Sequence, residues 1–576
     1  GKVTVLPAKP ITSQISPARV LTDLFELQPS ELLSRSDGKQ SIDPSSEESP
    51  TAQVQIQLVG HFLRVDFFPA FGWEYLDALL LPGERGPSGV SACETKVIGF
   101  KGQGAEQFRP CVVQYVRSEE ATIPISLSTF DTCVAFGSGK LDRLAMAFLN
   151  LSKSQELSNC EKAQMKAVFQ ERPRAAYRYA VSDAVITLLL AEEMERVHQQ
   201  VYKELKFAEE EVPRCHATPG LRSANLILRD VARCATGSVA LGGASHVGRV
   251  SLEKIKGLFQ SGAGSTIGRW DISKFGPQTG QTHGGLLISR SPTQLFHHAP
   301  DQFFDLDLGS CYPAILAQMN VYVGRPVIWE PGNNKTSLKE IVKLLERHAV
   351  GWDGWFVKVS GKLVGAPNAL IPSTEDALTS ENYKKNAARR SSKAAVDRSA
   401  INEHGYSHLY TDEISAGVVV WATWQMIQAL PPKLRAEYEQ LTVESVVFYP
   451  KEFVANDGPA FDALRKELST GHQLDWEQSL DLQSRTLHTT EELDEKYATL
   501  RYPIGRLARR FIELRREARR ETGKGSGKEQ AFKLLANTIY GALSSSHLPS
   551  QNVVAAQVIT GTARALAFAL AMSLNS

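Results

Sequence analysis

The 576-residue sequence predicts a multidomain α/β protein, α+β in detail, with helices and strands mixed along the chain. Three observations predict it. Residues 54–58 and 354–364 alternate apolar and polar side chains, the strand period. Residues 174–195, 501–520 and 530–543 repeat apolar side chains at the helical period. With 42% apolar residues, a chain of this length can bury cores for about three or four domains.

Composition narrows the classes. The net charge is +1, from 64 Lys+Arg and 63 Asp+Glu, so overall charge neither favours nor excludes nucleic acid, and local clusters must decide. Seven cysteines stand at 93, 111, 133, 160, 215, 234 and 311, with no Cys-x-x-Cys pair. That pattern fits a reducing, intracellular compartment and argues against a disulfide scaffold or a zinc ribbon. The adjacent Cys215-His216 pair has no ligand spacing around it. The start, GKVTVLPAKPITSQ, has no long apolar core and no initiator Met, so no secretory signal is expected and the N-terminus reads as processed or cut. Residues 553–574 form the most apolar late stretch. They carry Gln557 and Arg564, so a buried helix is expected rather than a membrane span.

Taken in order, residues 1–50 end in a polar, loop-like run. Residues 54–68 begin as a strand and reach His61 and Asp66. A strand ending in a solvated Asp reads the same way. In residues 126–150, Asp131-Thr132 precedes a Gly/Ser turn and an amphipathic helix. Residues 174–195 read as a helix with Tyr179 and Asp183 four apart on one face, a spacing that more often marks a plain hydrogen bond than catalysis. Residues 237–248 are Gly-rich without the spacing of a phosphate-binding fingerprint.

Residues 303–308 put Phe304, Leu306 and Leu308 on one strand face and Asp305 and Asp307 on the other, followed by a Gly-Ser-Cys-Tyr-Pro turn. Carboxylates aimed at a turn suit a divalent cation, although an edge strand with solvated acids shares the pattern. Residues 354–364 read as a further strand. Residues 372–400 carry Lys384, Lys385, Arg389, Arg390 and Lys393, either a solvated loop or a phosphate contact. Residues 410–450 read as helix, then strand. Residues 501–520 hold eight arginines and two glutamates on an amphipathic helix, more cations than its acids can pair. On a helix over 530–543, Lys533, Asn537 and Tyr540 share one face while Phe532, Leu535 and Ile539 share the opposite one. Gly541 suits a helix end or a close backbone approach.

Two of these stretches carry a resemblance. Asp307-Leu-Gly-Ser-Cys-Tyr-Pro-Ala314 resembles the D-x-x-S-L-Y-P-S motif of family B DNA polymerases, with Cys311 for Leu and Ala314 for the last Ser. Lys533-Leu-Leu-Ala-Asn537-Thr-Ile-Tyr540-Gly541 resembles their K-x-x-x-N-S-x-Y-G motif, with Thr538 for Ser. Upstream, His61 to Asp66 resembles the second 3′–5′ exonuclease motif, Asp131-Thr132 the D-T after it, and Tyr179 to Asp183 the third motif, Y-x-x-x-D. Gly284 and Gly285 resemble the Y-x-G-G element that joins exonuclease to polymerase, without its Tyr. The first exonuclease motif, D-x-E, does not occur in residues 1–60.

The resemblance implies a ribonuclease-H-like exonuclease domain followed by the palm and two-helix fingers of a right-hand polymerase. The implied boundaries are an N-terminal segment to 50, an exonuclease-like domain over 51–215, and a linker and palm start over 216–300. A palm with an insertion follows over 301–498, fingers over 499–545, and a return to the palm over 546–576. Asp307 and the Leu308 carbonyl would hold two Mg2+ ions, with Mn2+ as an alternative. Asp66 and Asp183 would hold metal in the exonuclease-like site, where Tyr179 would orient water. Ser310 and Cys311 would meet the triphosphate through their turn, and Tyr312 would lie under the sugar and select deoxynucleotides. Arg515 and Lys533 would grip phosphates, Asn537 would add a polar contact, and Tyr540 would pack on the nascent base pair. Gly284, Gly285 and Gly541 would let backbone approach DNA.

Residues 541–576 contain no Asp or Glu, so the D-T-D hairpin and the thumb of the family are not in the sequence. The expectation is a central piece of a longer polymerase, or a split one, that acts on primer-template DNA and dNTP when a chain or segment supplies the rest. The spelling is closer to the compact enzymes of viruses, linear plasmids and other mobile elements, many of which start from a protein primer. Two alternatives stay open: a catalytically inactive, polymerase-derived DNA-binding or structural subunit, and an RNA-templated polymerase.

Overall fold

The computed structural model describes residues 54–61, 111–118, 121–137, 139–216, 218–235, 252–259, 310–331, 335–365, 368, 370–372, 412–469, 486–487, 497–545 and 548–575. The chain divides into two compact units. Unit one comprises residues 1–205, 212–222 and 518–534; unit two comprises 206–211, 223–517 and 535–576.

In unit one, strands β1 (Val54–Gly60), β2 (Cys111–Ser118) and β3 (Ala121–Asp131) form a sheet in the order β1-β3-β2. β1 runs parallel to β3 with Gly60 opposite Asp131, and β2 is antiparallel to β3. The parallel pair brings both C-terminal ends to one edge, so His61 and Thr132 leave the sheet side by side. α1 (Thr132–Ala135) starts there, and α2 (Leu141–Leu144) continues as a π-helical turn over Ala145–Leu149. That turn stops at Asn150 in the left-handed region, φ 54°. Asn tolerates that region better than most residues.

α3 (Asn159–Ala163) opens on a Ser158–Glu161 capping box, which satisfies the first orphan N–H groups. α4 (Met165–Glu171) leads to α5 (Pro173–Glu204), whose Pro173 sits where a helix needs no N–H donor. The periodicity read over 174–195 extends nine residues further, because Leu190, Met194, Val197 and Val201 keep one face buried. Ile186, Leu190 and Met194 pack with Phe130, Phe136 and Leu144 in the core.

Unit two contains α6 (Pro219–Ala235, its first turn in unit one), α7 (Leu252–Phe259), α8 (Cys311–Leu316), β4 (Val321–Val323), β5 (Val327–Glu330), α9 (Leu338–His348) and β6 (Trp355–Lys362). β7 (Glu413–Val419), α10 (Trp421–Ala429), α11 (Pro432–Glu439), β8 (Thr442–Phe448), β9 (Val454–Ala455), α12 (Gly458–Leu468), β10 (Thr486–Leu487) and β11 (Thr499–Tyr502) follow. The last helices are α13 (Ile504–Thr522), α14 (Gly527–Ser544) and α15 (Val553–Asn575).

A five-stranded antiparallel sheet has the order β10-β5-β8-β6-β7, and a smaller one the order β4-β11-β9. α15 packs on β6, β7, α10 and α8. It is long and apolar enough to cross a membrane, but 67% of that stretch is buried inside the protein, and Leu566 and Met572 near its end are exposed.

The expectation of helix then strand over 410–450 is corrected. β7 comes first, and two helices follow in place of one. β7 was hidden by its Ala-Gly-Val-Val run, which does not alternate. The helices part at Pro431-Pro432: Leu430 before them is extended, ψ 156°, as a residue preceding proline prefers. Residues 523–526 form a four-residue link between α13 and α14, with Gly523 and Gly525 at φ 87° and 86°. Ser526 accepts from the Glu529 N–H to cap α14, and Lys528 pairs with Glu521 at 2.7 Å.

The strand read over 303–308, the Gly-rich run over 237–248, the Thr282–Gly285 element and the basic run over 384–393 lie outside the described residues.

Candidate active site

Within unit two, the end of the aspartate motif is a turn. Ser310 takes left-handed backbone, φ 56° and ψ 41°, immediately before α8. Its Oγ accepts a hydrogen bond from Arg515 Nη1 at 2.7 Å. Arg515 can reach because the start of α13 is pressed onto the end of α8. A Cβ on Gly505 would lie 2.7 Å from the Ala317 carbonyl oxygen, the Gly505 N–H donates to Met319 at 3.2 Å, and Arg509 donates to Ala317. The same end of α13 is held from α6. Buried Asp230 accepts from the Tyr502 hydroxyl at 2.7 Å and from Arg506 at 2.9 and 3.1 Å. Arg510 pairs within its own helix, 3.5 Å from both Glu513 and Glu517. Four of the eight arginines thus have structural partners.

Tyr312, on the first turn of α8, meets Tyr540 of α14, ring centroids 4.6 Å apart and tilted by 56°. Burial pushes the Tyr312 phenol above its usual range, helped by Tyr540 and Cys311 and opposed by Arg564. Arg564 was not singled out as a site residue from the sequence. It sits on α15 only 2% exposed, close enough to Tyr312 to act on its charge. The signal was present: it is the one cation in an apolar helix with no acid nearby in sequence.

α14 faces as its periodicity predicts. Lys533 and Asn537 are exposed, Tyr540 is half-buried, and Phe532 and Ile539 are buried. Thr538 shares a 2.7 Å hydrogen bond with Ser223 of α6 and so pins the helix laterally. The helix end expected at Gly541 is corrected: α14 continues to Ser544. Among the described residues, a Cβ on Gly541 would meet nothing within 4 Å.

Asp307, Leu308, Gly284 and Gly285 fall outside the described residues. Among the described residues no group of three His, Cys, Asp or Glu could hold a metal ion. The described part of the site, from Ser310 onward, offers cations, hydroxyls and rings. It does not offer a metal ligand set.

In unit one, the exonuclease-like residues converge in part. The Thr132 hydroxyl donates to the Gly60 carbonyl at 3.1 Å, and its oxygen lies 3.0 Å from His61 Nδ1. The Asp131 carboxylate accepts from the Cys133 N–H at 2.9 Å and caps α1. Tyr179 and Asp183 are bridged by Lys153, whose Nζ lies 3.2 Å from the Tyr179 hydroxyl and 2.6 Å from Asp183 Oδ2. The plain Tyr–Asp bond expected from their spacing is replaced by this three-group arrangement. Burial lowers the Lys153 pKa, but Asp183 and Tyr179 outweigh it, and the net shift is upward. Lys153, also missed in the sequence, therefore sets a positive charge against one oxygen of the carboxylate expected to hold metal. Asp183 Oδ1 is buried without a hydrogen-bond partner among the described residues. Asp66 lies outside them.

No protein-family model matches the chain, and no curated protein matches it. Among solved structures it is similar to a Phi29 DNA polymerase complexed with primer-template DNA and incoming nucleotide substrates, at 11% identity and a TM-score of 0.34. The match covers 76% of this chain and 51% of that one, so the chain spans about half the length of that polymerase.

Proposed function

We propose that this chain is part of a template-directed DNA polymerase that transfers a nucleotidyl group from a dNTP to a primer 3′-hydroxyl. One observation carries the reading: two motif segments far apart in sequence meet, Tyr312 against Tyr540, beside the Arg515-held turn at Ser310. A buried structural core would have no use for a left-handed serine turn, an arginine and two phenols in tilted contact at one place.

In this reading the residues divide the work. Mg2+ bound at Asp307 and the Leu308 carbonyl would lower the hydroxyl's pKa and neutralise the leaving pyrophosphate. Arg515 offers a planar fork to phosphate oxygens and Lys533 a point charge. Arg564 adds a buried cation beside Tyr312. The Tyr312 ring, braced by Tyr540, leaves no room for a 2′-hydroxyl, since packing excludes a bulkier group sharply. The range expected for the exonuclease-like domain, 51–215, overlaps mostly with the residues of unit one, and the ranges expected for palm and fingers mostly with those of unit two. A viral or mobile-element setting, a protein primer and a D-T-D hairpin from a longer chain or from a second one belong to the same proposal.

The test is nucleotide binding by the full chain with primer-template DNA and Mg2+, read by anisotropy of a fluorescent dNTP. Wild type is expected to bind, and Arg515→Ala with Lys533→Ala to weaken binding at least ~100-fold. Equal affinity of wild type and the double variant would overturn the reading.

The second reading, an inactive polymerase-derived DNA-binding subunit, is favoured by the Lys153–Asp183 ion pair in the exonuclease-like part. Primer extension by an assembly that includes a D-T-D segment separates the two. Extension abolished by Asp307→Asn supports catalysis by this chain, and extension indifferent to it supports the inactive subunit.

A further inference from the structure

We propose that the exonuclease-like unit is the seat of the nucleotide-gripping helix, and that Phe148 and Leu534 are positioning residues for Lys533. The proposal rests on the reading of Lys533 as a triphosphate ligand.

Residues 518–534, the tip of the α13–α14 hairpin, belong to unit one together with the sheet and α5. Two contacts inside that unit hold the tip. Gly527, the first residue of α14, is buried against the π-helical turn. A Cβ there would lie 2.6 Å from the Phe148 Cα and 2.7 Å from the Ala147 carbonyl oxygen. Both are backbone atoms and cannot rotate away, so this approach requires glycine. The second contact is Leu534, whose Cδ1 would lie 2.9 Å from a Cβ on Gly137. Gly137 has φ 75°, a conformation that glycine adopts without strain.

The geometry of the pair matters. Gly527 and Leu534 are seven residues apart on a helix and so share one face, two turns from end to end. Lys533 is adjacent to Leu534 and exposed on a neighbouring face. The two seat points therefore fix the height and rotation of the turn that carries Lys533. On the other side, the seat is itself a packed unit: Phe148 and Phe136 lie ring to ring, centroids 4.3 Å apart, and Phe136 directly precedes Gly137. The π-turn supplies the extra residue that presents Phe148, as such turns often do at functional places. The contacts are steric and dispersive, so they set distance and orientation without depending on charge. The exonuclease-like unit thereby has a task that uses none of its carboxylates.

The test uses the full chain with primer-template DNA, Mg2+ and a fluorescent dNTP, comparing Leu534→Ala, Leu534→Met, Gly527→Val and Lys533→Ala, singly and combined with Lys533→Ala. Leu534→Ala and Gly527→Val are expected to weaken dNTP binding ~5-fold to 10-fold, and Leu534→Met to restore it, with DNA affinity unchanged. Added to Lys533→Ala, the seat variants are expected to change nothing more, because coupled sites are not additive. Were Gly527→Val not to fold, the Leu534 pair decides alone. If Lys533→Ala weakens binding but the seat variants have no effect, or one that adds fully to it, the seat is overturned and the polymerase reading stands. If Lys533→Ala itself leaves dNTP binding unchanged, the reading of Lys533 fails and the seat falls with it.

Discussion

Arg515 donates to Ser310 across 2.7 Å, joining a helix to a left-handed turn 205 positions earlier in the chain. Arginine carries five N–H donors in a planar fork, so a bond to a hydroxyl orients the guanidinium. Arg515→Ala is expected to weaken dNTP binding ~10-fold or more, and Ser310→Ala by less, since it removes only the bond that orients the guanidinium and leaves the charge in place. Anisotropy titrations of a fluorescent dNTP read both. Equal losses would mean that Ser310, rather than the phosphate, is Arg515's main partner.

Tyr312 and Tyr540 brace one another at 4.6 Å between centroids. Tyr312→Ala is expected to leave dNTP binding within ~3-fold while raising ribonucleotide binding ~10-fold or more, because a side-chain wall is removed. Tyr312→Phe keeps the ring and should keep the discrimination. Competition between a deoxynucleoside and a ribonucleoside triphosphate measures it, and unchanged preference in the Ala variant would remove Tyr312 from the sugar contact.

Asp230 ties α6 to the start of α13 through the buried Tyr502 hydroxyl and Arg506. Removing the carboxylate strands a fully buried phenol and half of an ion pair. Arg506 is 40% exposed, so solvent reduces its share. Asp230→Ala is expected to cost ~2–3 kcal/mol, seen as a lower urea midpoint. A loss under ~0.5 kcal/mol would show that water replaces the carboxylate without penalty.

Alkaline titration has a defined sign. Burial, then Asp230, holds the Tyr502 phenol well above its ordinary 10.0, and burial does the same to Tyr449. A raised folded pKa contributes stability that is present below pH 10 and is lost as pH rises through the folded value. These phenols are therefore expected to ionise only as the protein unfolds. Tyrosinate absorbance and circular dichroism recorded together should show a late absorbance step coincident with unfolding. A smooth ionisation finished before any loss of structure would contradict the burial.

Local pattern was legible where local residues decide. α5, α13 and α14 each bury one stripe, and a stripe is written in the spacing of neighbouring residues. So Lys533, Asn537 and Tyr540 could be put on one face of a helix before any coordinates. β7 was not legible, because a continuous apolar run carries no period, whereas the α10–α11 break lies at Pro431-Pro432, which disfavour helix in the residue before them.

The sequence by itself determined which chemistry is carried: a Ser310–Tyr312 turn, a Lys533–Tyr540 helix face and an arginine-rich helix between them. Only the tertiary structure decided which groups meet. Arg564 approaches Tyr312, Lys153 takes Asp183, Asp230 takes Tyr502, and Gly527 lies on Phe148. Each pair joins elements separated in sequence by other elements. Their meeting is set by how those elements pack, and no spacing along the chain encodes that.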